Sequence, residues 1–149
     1  MAHVHHSAVV TRDVDASLRF YCDGLGLEVL MDHEFDGDWS TLFDAPRNRL
    51  RSVFLGDPAS PDAGIVELVT FGADGAGGPP HPAPPRSGFF LLSFFVDVEA
   101  TIARLAALGF GEPARRIRVP GPAGGVDMVT VRDPDGVLVE LVGTAQMPA

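Results

Sequence analysis

The chain has 149 residues, 46% apolar and 21% charged, a balance that suits one folded domain or two small halves sharing a core, and excludes a disordered chain. Its net charge is −9 and all eleven basic residues are arginine, so an acidic surface repels phosphate backbones and no nucleic-acid partner is expected. One cysteine, Cys22, allows no intrachain disulfide; no apolar run approaches bilayer length, and MAHVHHSAVV lacks the pattern of a secretory signal, so a cytoplasmic protein with no membrane partner is expected.

HHSAVV, with its β-branched residues, reads as a first strand. In TRDVDASLRFYCDGLGL, Asp13 is a good N-cap, and Val14, Leu18, Tyr21 and Leu25 recur at helical spacing as one apolar stripe. Gly24 and Gly26 end that helix. Three strand-like runs follow: LEVLMDHEF, RLRSVFL and GIVELVTF. His33 and Trp39 flank DHEFDGDW, read as a loop and part of a lid.

Residues 72–88, GADGAGGPPHPAPPRSG, then read as a linker, because Gly adds freedom and Pro forbids both helix and ladder. The order repeats beyond it. FFLLSFFV is a strand, and VDVEATIARLAALGF is a helix capped by Asp97, with Val98, Ile102 and Leu105 as its buried stripe and Gly109 as its stop. RRIRV, VDMVTV and VLVELV complete the half, and Asp133–Gly136 (DPDG) is a turn joining the last two as a hairpin.

The sequence also repeats itself in detail: PDAGIVELV at 61–69 returns as PDGVLVELV at 134–142. Each copy sets one carboxylate, Glu67 or Glu140, inside an apolar strand. Side chains alternate across a strand, so Glu67 shares a face with Ile65 and Val69, while Val66 and Leu68 turn the other way, toward the helix. An ionised carboxylate on the remaining face is costly unless a cation or several donors meet it.

With HSAVVTRDVDASLRFYCDGLGL at 6–27, VELV at 66–69, FFVDVEATIARLAALGF at 94–110 and VRDPDGVLVELV at 131–142, the chain resembles the vicinal oxygen chelate superfamily. That superfamily includes glyoxalase I, methylmalonyl-CoA epimerase, extradiol dioxygenases, and fosfomycin and bleomycin resistance proteins. The resemblance implies an α+β fold of two tandem βαβββ modules, residues 1–71 and 89–149, forming a curled mixed sheet around a cavity within one domain of residues 1–149.

The resemblance also implies a metal site. Its members place a histidine in each first strand and a carboxylate or amide in each last strand. The first-strand histidine stands seven residues before the aspartate that opens the helix, which here is His6 before Asp13. The last-strand ligands map onto Glu67 and Glu140. The fourth position falls on Phe90 or, with a slide of one, on Leu91, and neither binds metal. His6, Glu67 and Glu140 then remain for a divalent Mn, Fe, Co, Ni or Zn ion, with positions open to a chelating substrate.

The implied activity is of isomerase or lyase type, with Glu67 or Glu140 moving a proton next to a metal-chelated carbonyl of a small molecule. The alternative is a metal-free protein that binds or sequesters a small molecule or antibiotic; an extradiol dioxygenase ranks third, because only one histidine stands at a ligand position. Phe90, Leu92 and Phe94 are candidates for an apolar substrate wall, and Arg49 and Arg51 for holding an anionic group. His5 is expected to point away from His6 by alternation, Cys22 is not a nucleophile candidate, and a homodimer is expected.

Overall fold

A computed structural model of the chain describes residues 2–72, 87–120 and 125–143. All but the ends of the expected 72–88 linker, with His81, lie outside the described residues. By its contacts the chain divides into two compact units, Met1–Pro79 and Pro80–Ala149.

The first unit runs β1 (His6–Val10), α1 (Val14–Leu18), β2 (Glu28–Asp36), α2 (Trp39–Phe43), β3 (Arg49–Gly56) and β4 (Ile65–Thr70). The second runs β5 (Leu92–Val96), α3 (Val98–Ala107), β6 (Arg115–Val119), β7 (Val126–Arg132) and β8 (Leu138–Gly143). Each builds a four-stranded mixed sheet, in the orders β1-β4-β3-β2 and β5-β8-β7-β6. The first and last strands of each module pair in parallel and its other neighbours are antiparallel. Neither sheet closes on itself. The fold is the expected α+β pair of βαβββ modules, with α2 as an extra short helix.

Both helices start where the sequence says. Asp13 accepts a hydrogen bond from the Ala16 amide at 3.0 Å and Asp97 one from the Ala100 amide at 3.0 Å, each satisfying an orphan donor of a first turn. The helix α3 ends at Gly109, whose φ of +84° is free of strain only for glycine; Phe110 N–H reaches back to the Leu105 carbonyl at 2.8 Å. The last hairpin turns at Asp133–Gly136, closed by the Gly136 amide on the Asp133 carbonyl at 3.0 Å.

The apolar stripes needed correction. After Leu18, α1 continues as a π-helical turn, Arg19–Gly24, and this widening brings the adjacent rings of Phe20 and Tyr21 both to zero exposure. An even helical spacing cannot anticipate such a slip, and Leu18 is left only half-buried. In α3 the buried residues are Val98, Thr101 and Leu105; Ile102 is half-buried.

In the first module, Val53, Leu55, Val66 and Leu68 form the buried face beneath the helix. In the second, Val129, Val131, Val139 and Leu141 do the same under Leu105. On each sheet the glutamates occupy the opposite face, because β4 pairs Leu68 with Val53 and Glu67 with Phe54, and β8 pairs Val139 with Val131 and Glu140 with Thr130.

Candidate metal centre

In the first module the parallel pairing of β1 with β4 sets Ala8 beside Glu67 and His6 beside Ile65, so His6 and Glu67 share the face away from the helix. Nε2 of His6 lies 3.6 Å from Oε1 of Glu67. The other carboxylate oxygen, Oε2, accepts a 2.5 Å hydrogen bond from the Ser52 hydroxyl on β3. The imidazole of His6 stacks on Phe54, with ring centroids 5.5 Å apart and planes 30° from parallel. Ser52 is buried and Glu67 mostly so, while His6 keeps part of its ring in solvent.

A separation of 3.6 Å is too long for a hydrogen bond. It fits two donor atoms on one ion, since bonds of about 2.1 Å at tetrahedral angles put ligand atoms roughly 3.4 Å apart. One imidazole nitrogen and one carboxylate oxygen, the latter oriented by a serine on its partner oxygen, make half of a plausible divalent-metal site. Among the described residues, neither module gathers three His, Cys, Asp or Glu side chains into a metal cluster by itself.

His5 is not where alternation put it. It precedes the first residue of β1, so strand periodicity does not govern it. Its Nδ1 lies 2.8 Å from Nδ1 of His6, and its ring meets Phe54 edge-on at 5.8 Å.

In the second module Glu140 sits between Ser93 on β5 and Thr130 on β7. The Ser93 hydroxyl donates to Oε1 of Glu140 at 2.7 Å. The register also resolves the slide between Phe90 and Leu91. Ala8 and Ser93 hold the same place beside their glutamates, so two residues earlier His6 corresponds to Leu91. The connection from strand to helix is one residue shorter in the second module, which is why counting back from Asp97 fell on Phe90.

The other sequence candidates lie elsewhere. Leu92 and Phe94 pair with Val139 and Leu141, on the helix side of the sheet, so they do not share a face with Glu140. Phe90 precedes β5 and is exposed. The aromatic side chain on Glu140's own face is Phe95, 64% exposed. Arg49 and Arg51 likewise turn to the face opposite Glu67, since Arg51 pairs with Thr70. Arg51 grips Asp32 with two hydrogen bonds, 2.9 and 2.8 Å, and Arg49 donates to Glu34 at 2.6 Å.

Those hydrogen bonds, more than the bare charges, hold the Asp32 and Glu34 carboxyls below their ordinary range and raise both arginines. The four groups satisfy one another across β2 and β3. Cys22 is as inert as expected: burial first, and then Asp23, pushes its thiol up, away from the reactive thiolate.

Ser52, Ser93, Phe54 and His5 were missed by sequence reasoning. Ser93 had left a signal, a lone hydroxyl within FFLLSFFV, and Ser52 had left a weaker one within RLRSVFL.

With a histidine and a glutamate meeting on the face of a βαβββ sheet away from its helix, and the same carboxylate repeated in a second such sheet, the comparison with known proteins is direct. The model of the Glyoxalase/Bleomycin resistance protein/Dioxygenase superfamily matches residues 3–141. The chain belongs to that superfamily. It is 39% identical over 146 residues to the lactoylglutathione lyase-like protein terB of Aspergillus terreus, covering 93% of this chain and 74% of that protein. A probable lactoylglutathione lyase of Synechocystis is 27% identical over 144 residues, with 94% of each chain covered. Among solved structures, the glyoxalase family protein of Bacillus cereus shares the fold at a TM-score of 0.74 and 18% identity, covering 96% of this chain and 94% of the other. Among the described residues no helix of this superfamily member is long and apolar enough to cross a membrane.

Proposed function

We propose that this superfamily member is a metal-dependent enzyme of isomerase or lyase type that moves a proton next to the carbonyl of a small molecule. His6, Glu67 and Glu140 would hold the ion, and Glu67 or Glu140 would carry the proton. The observation that supports it most is the His6 Nε2–Glu67 Oε1 pair on one sheet face, spaced for a shared ion rather than a hydrogen bond. The lyase names of the relatives from Aspergillus and Synechocystis agree with that reaction type. Glu140 enters the ligand set through the superfamily resemblance.

When bound, a divalent ion supplies Lewis-acid polarisation of the substrate's carbonyl oxygen. The chain's own groups do the rest. Ser52 donates to Oε2 of Glu67 and leaves Oε1 directed to the His6 side, while Ser93 donates to Oε1 of Glu140, whose Oε2 would hold the ion or, released from it, take a proton from one substrate carbon and return it to the neighbouring one. Elemental analysis of protein purified without an affinity tag, followed by calorimetric titration with Mn²⁺, Ni²⁺ and Zn²⁺, tests the reading. It fails if no divalent ion is retained or taken up.

One feature favours a second reading, a metal-free protein that binds an apolar small molecule. Leu91 stands where His6 stands, and the exposed Phe95 shares Glu140's face, so the second module presents apolar groups where a ligand residue and its surroundings are expected. That reading requires Glu67→Gln to leave ligand affinity unchanged, whereas the enzyme reading requires it to lose activity. In either case we place the protein in the cytoplasm as a homodimer, the commonest symmetric assembly; light scattering on a sizing column that gives a monomer mass removes the dimer.

A further inference from the structure

We propose that the sheet of the second module binds a small molecule with a carboxylate and an apolar body, and that Arg115 holds the carboxylate. This deepens the reading above, on which it rests for the role of Glu140, by naming the class of substrate. The cross-strand register carries it. Arg115 on β6 pairs with Thr130 on β7, Thr130 with Glu140 on β8, and Glu140 with Ser93 on β5. Paired residues share a face, so these four form one polar row across the sheet, on the side away from α3. The next row, two residues along each strand and about 7 Å away, is apolar. It runs Ile117, Met128, Val142 and Phe95. Ile117 and Phe95, at its two ends, are 63% and 64% exposed.

Arg115 differs from the other arginines described. Arg49, Arg51, Arg116 and Arg118 are each matched to a carboxylate, and Arg104 and Arg132 donate to Thr101 and to the Gly136 carbonyl. Arg12, Arg19 and Arg47 are also engaged. Arg115 alone is exposed and has no partner among the described residues. Its backbone lies two strand spacings, about 10 Å, from that of Glu140, with Thr130 between them. A molecule lying across the strands therefore meets the guanidinium fork at one end, which matches a carboxylate with two parallel hydrogen bonds. Its reacting carbon then falls beside Glu140, and its apolar body on Ile117, Met128 and Phe95. One guanidinium suits one negative charge. The net charge of −9 repels anions at large, so holding one requires such a local cation. At the same register around Glu67 the first module has Met31, Phe54 and Ala8, a row without a cation.

Phenylacetate, a carboxylate on an apolar ring, and phenylacetamide, its neutral counterpart, are the probes. Each is titrated into the ¹⁵N-labelled full chain, kept metal-free with a chelator, while backbone and arginine side-chain proton–nitrogen signals are followed. Phenylacetate is expected to shift the signals of Arg115, Thr130 and Glu140 saturably, and phenylacetamide to bind at least about tenfold more weakly. Arg115→Gln should weaken phenylacetate about 10–100-fold, the worth of a charge-assisted hydrogen bond. Arg118→Gln removes the same charge from the opposite face, where it serves Asp127, and should leave the affinity unchanged. Because Arg115 is exposed, its replacement should leave the spectrum elsewhere as it was, which shows directly that the fold is kept.

Equal affinity for the two probes overturns the proposal, as does a parent protein that does not bind phenylacetate. It falls too if Arg115→Gln keeps the parent's affinity, or if Arg118→Gln loses as much. No ion takes part in these titrations, so a chain that takes up no divalent metal loses the metal-dependent function and leaves this result standing. A chain that binds metal but is indifferent to Arg115 keeps that function and loses this class of substrate.

Discussion

In the first module Glu67 lies between Ala8 and Phe54, with a histidine two residues back along β1 and a serine reaching it from β3. In the second, Glu140 lies between Ser93 and Thr130, with Leu91 at the histidine's place and the serine on β5, the parallel neighbour. The two halves therefore keep the same carboxylate at the same register and satisfy it from opposite sides. A carboxylate within a sheet needs a donor, but either neighbouring strand can bring one. The histidine is not required by the fold, and only one module has it. This asymmetry leaves the paired imidazole and carboxylate to the first module.

The comparison breaks most visibly at His6. His6→Ala removes one of three proposed ligands; since a four-ligand zinc site is worth about 10–16 kcal/mol, or about 2.5–4 kcal/mol per ligand, zinc affinity should fall about a hundred- to a thousandfold. The converse, Leu91→His, returns the missing imidazole to the second module and should tighten zinc by at least roughly tenfold. Calorimetry reads both, and a Leu91→His variant that binds zinc no better than its parent shows that the two modules do not offer equivalent positions.

Leu68 and Leu141, the residues after each glutamate, are both essentially without exposure on the helix side. Each Leu→Ala change should cost about 2–5 kcal/mol, measured from denaturant midpoints. Similar losses are expected despite the different faces opposite, because the helix-covered sides are built alike. A cost below 1 kcal/mol at either would show that its core has collapsed around the cavity.

Asp13→Ala and Asp97→Ala should each lose about 1 kcal/mol, since each removes a single cap hydrogen bond. A far larger loss at Asp13 would mean that the π-helical turn after α1 depends on that cap.

The smallest effect is expected at the Arg51–Asp32 pair across β2 and β3, whose counterpart in the second module is Arg118 on Asp127, 3.0 Å apart across β6 and β7. Hydrogen bonding from Arg51 depresses the Asp32 carboxyl in the folded state, so its contribution is present above the ordinary carboxyl value of about 3.9 and is lost as the pH falls through the lower folded value. Both side chains are more than a third exposed, so solvent screening limits the contribution to ~1 kcal/mol or less. Asp32→Asn should leave stability at pH 7 lower by no more than that and remove this part of the acid dependence below about pH 4. Thermal unfolding of both proteins from pH 2 to 7 tests it, and parallel curves at every pH would show that the pair contributes nothing.

How much of this was legible in the sequence differs by level. Strand and helix order, both caps, the final turn and the paired glutamates could be read directly, because apolar periodicity, capping side chains and the repeated PDxxxVELV pattern are local signals. The face of a residue was legible only where a strand's limits were known. Glu67 and His6 lay inside their strands and alternation placed them correctly, whereas His5 and Phe90 lay just outside and it did not. Arg49 and Arg51 were inside β3, but only their pairing with Asp32 and Glu34 showed which side they served.

The sequence by itself determined the α+β modules, their duplication and the residue types available for a metal site, since each depends on patterns within a dozen consecutive residues. Tertiary structure alone decided that His6 meets Glu67, that Ser52 and Ser93 hold the two carboxylates, and that Leu91 stands in the histidine's place. Those facts depend on the register between strands far apart in the chain, which hydrogen-bonded pairing fixes and local composition does not encode.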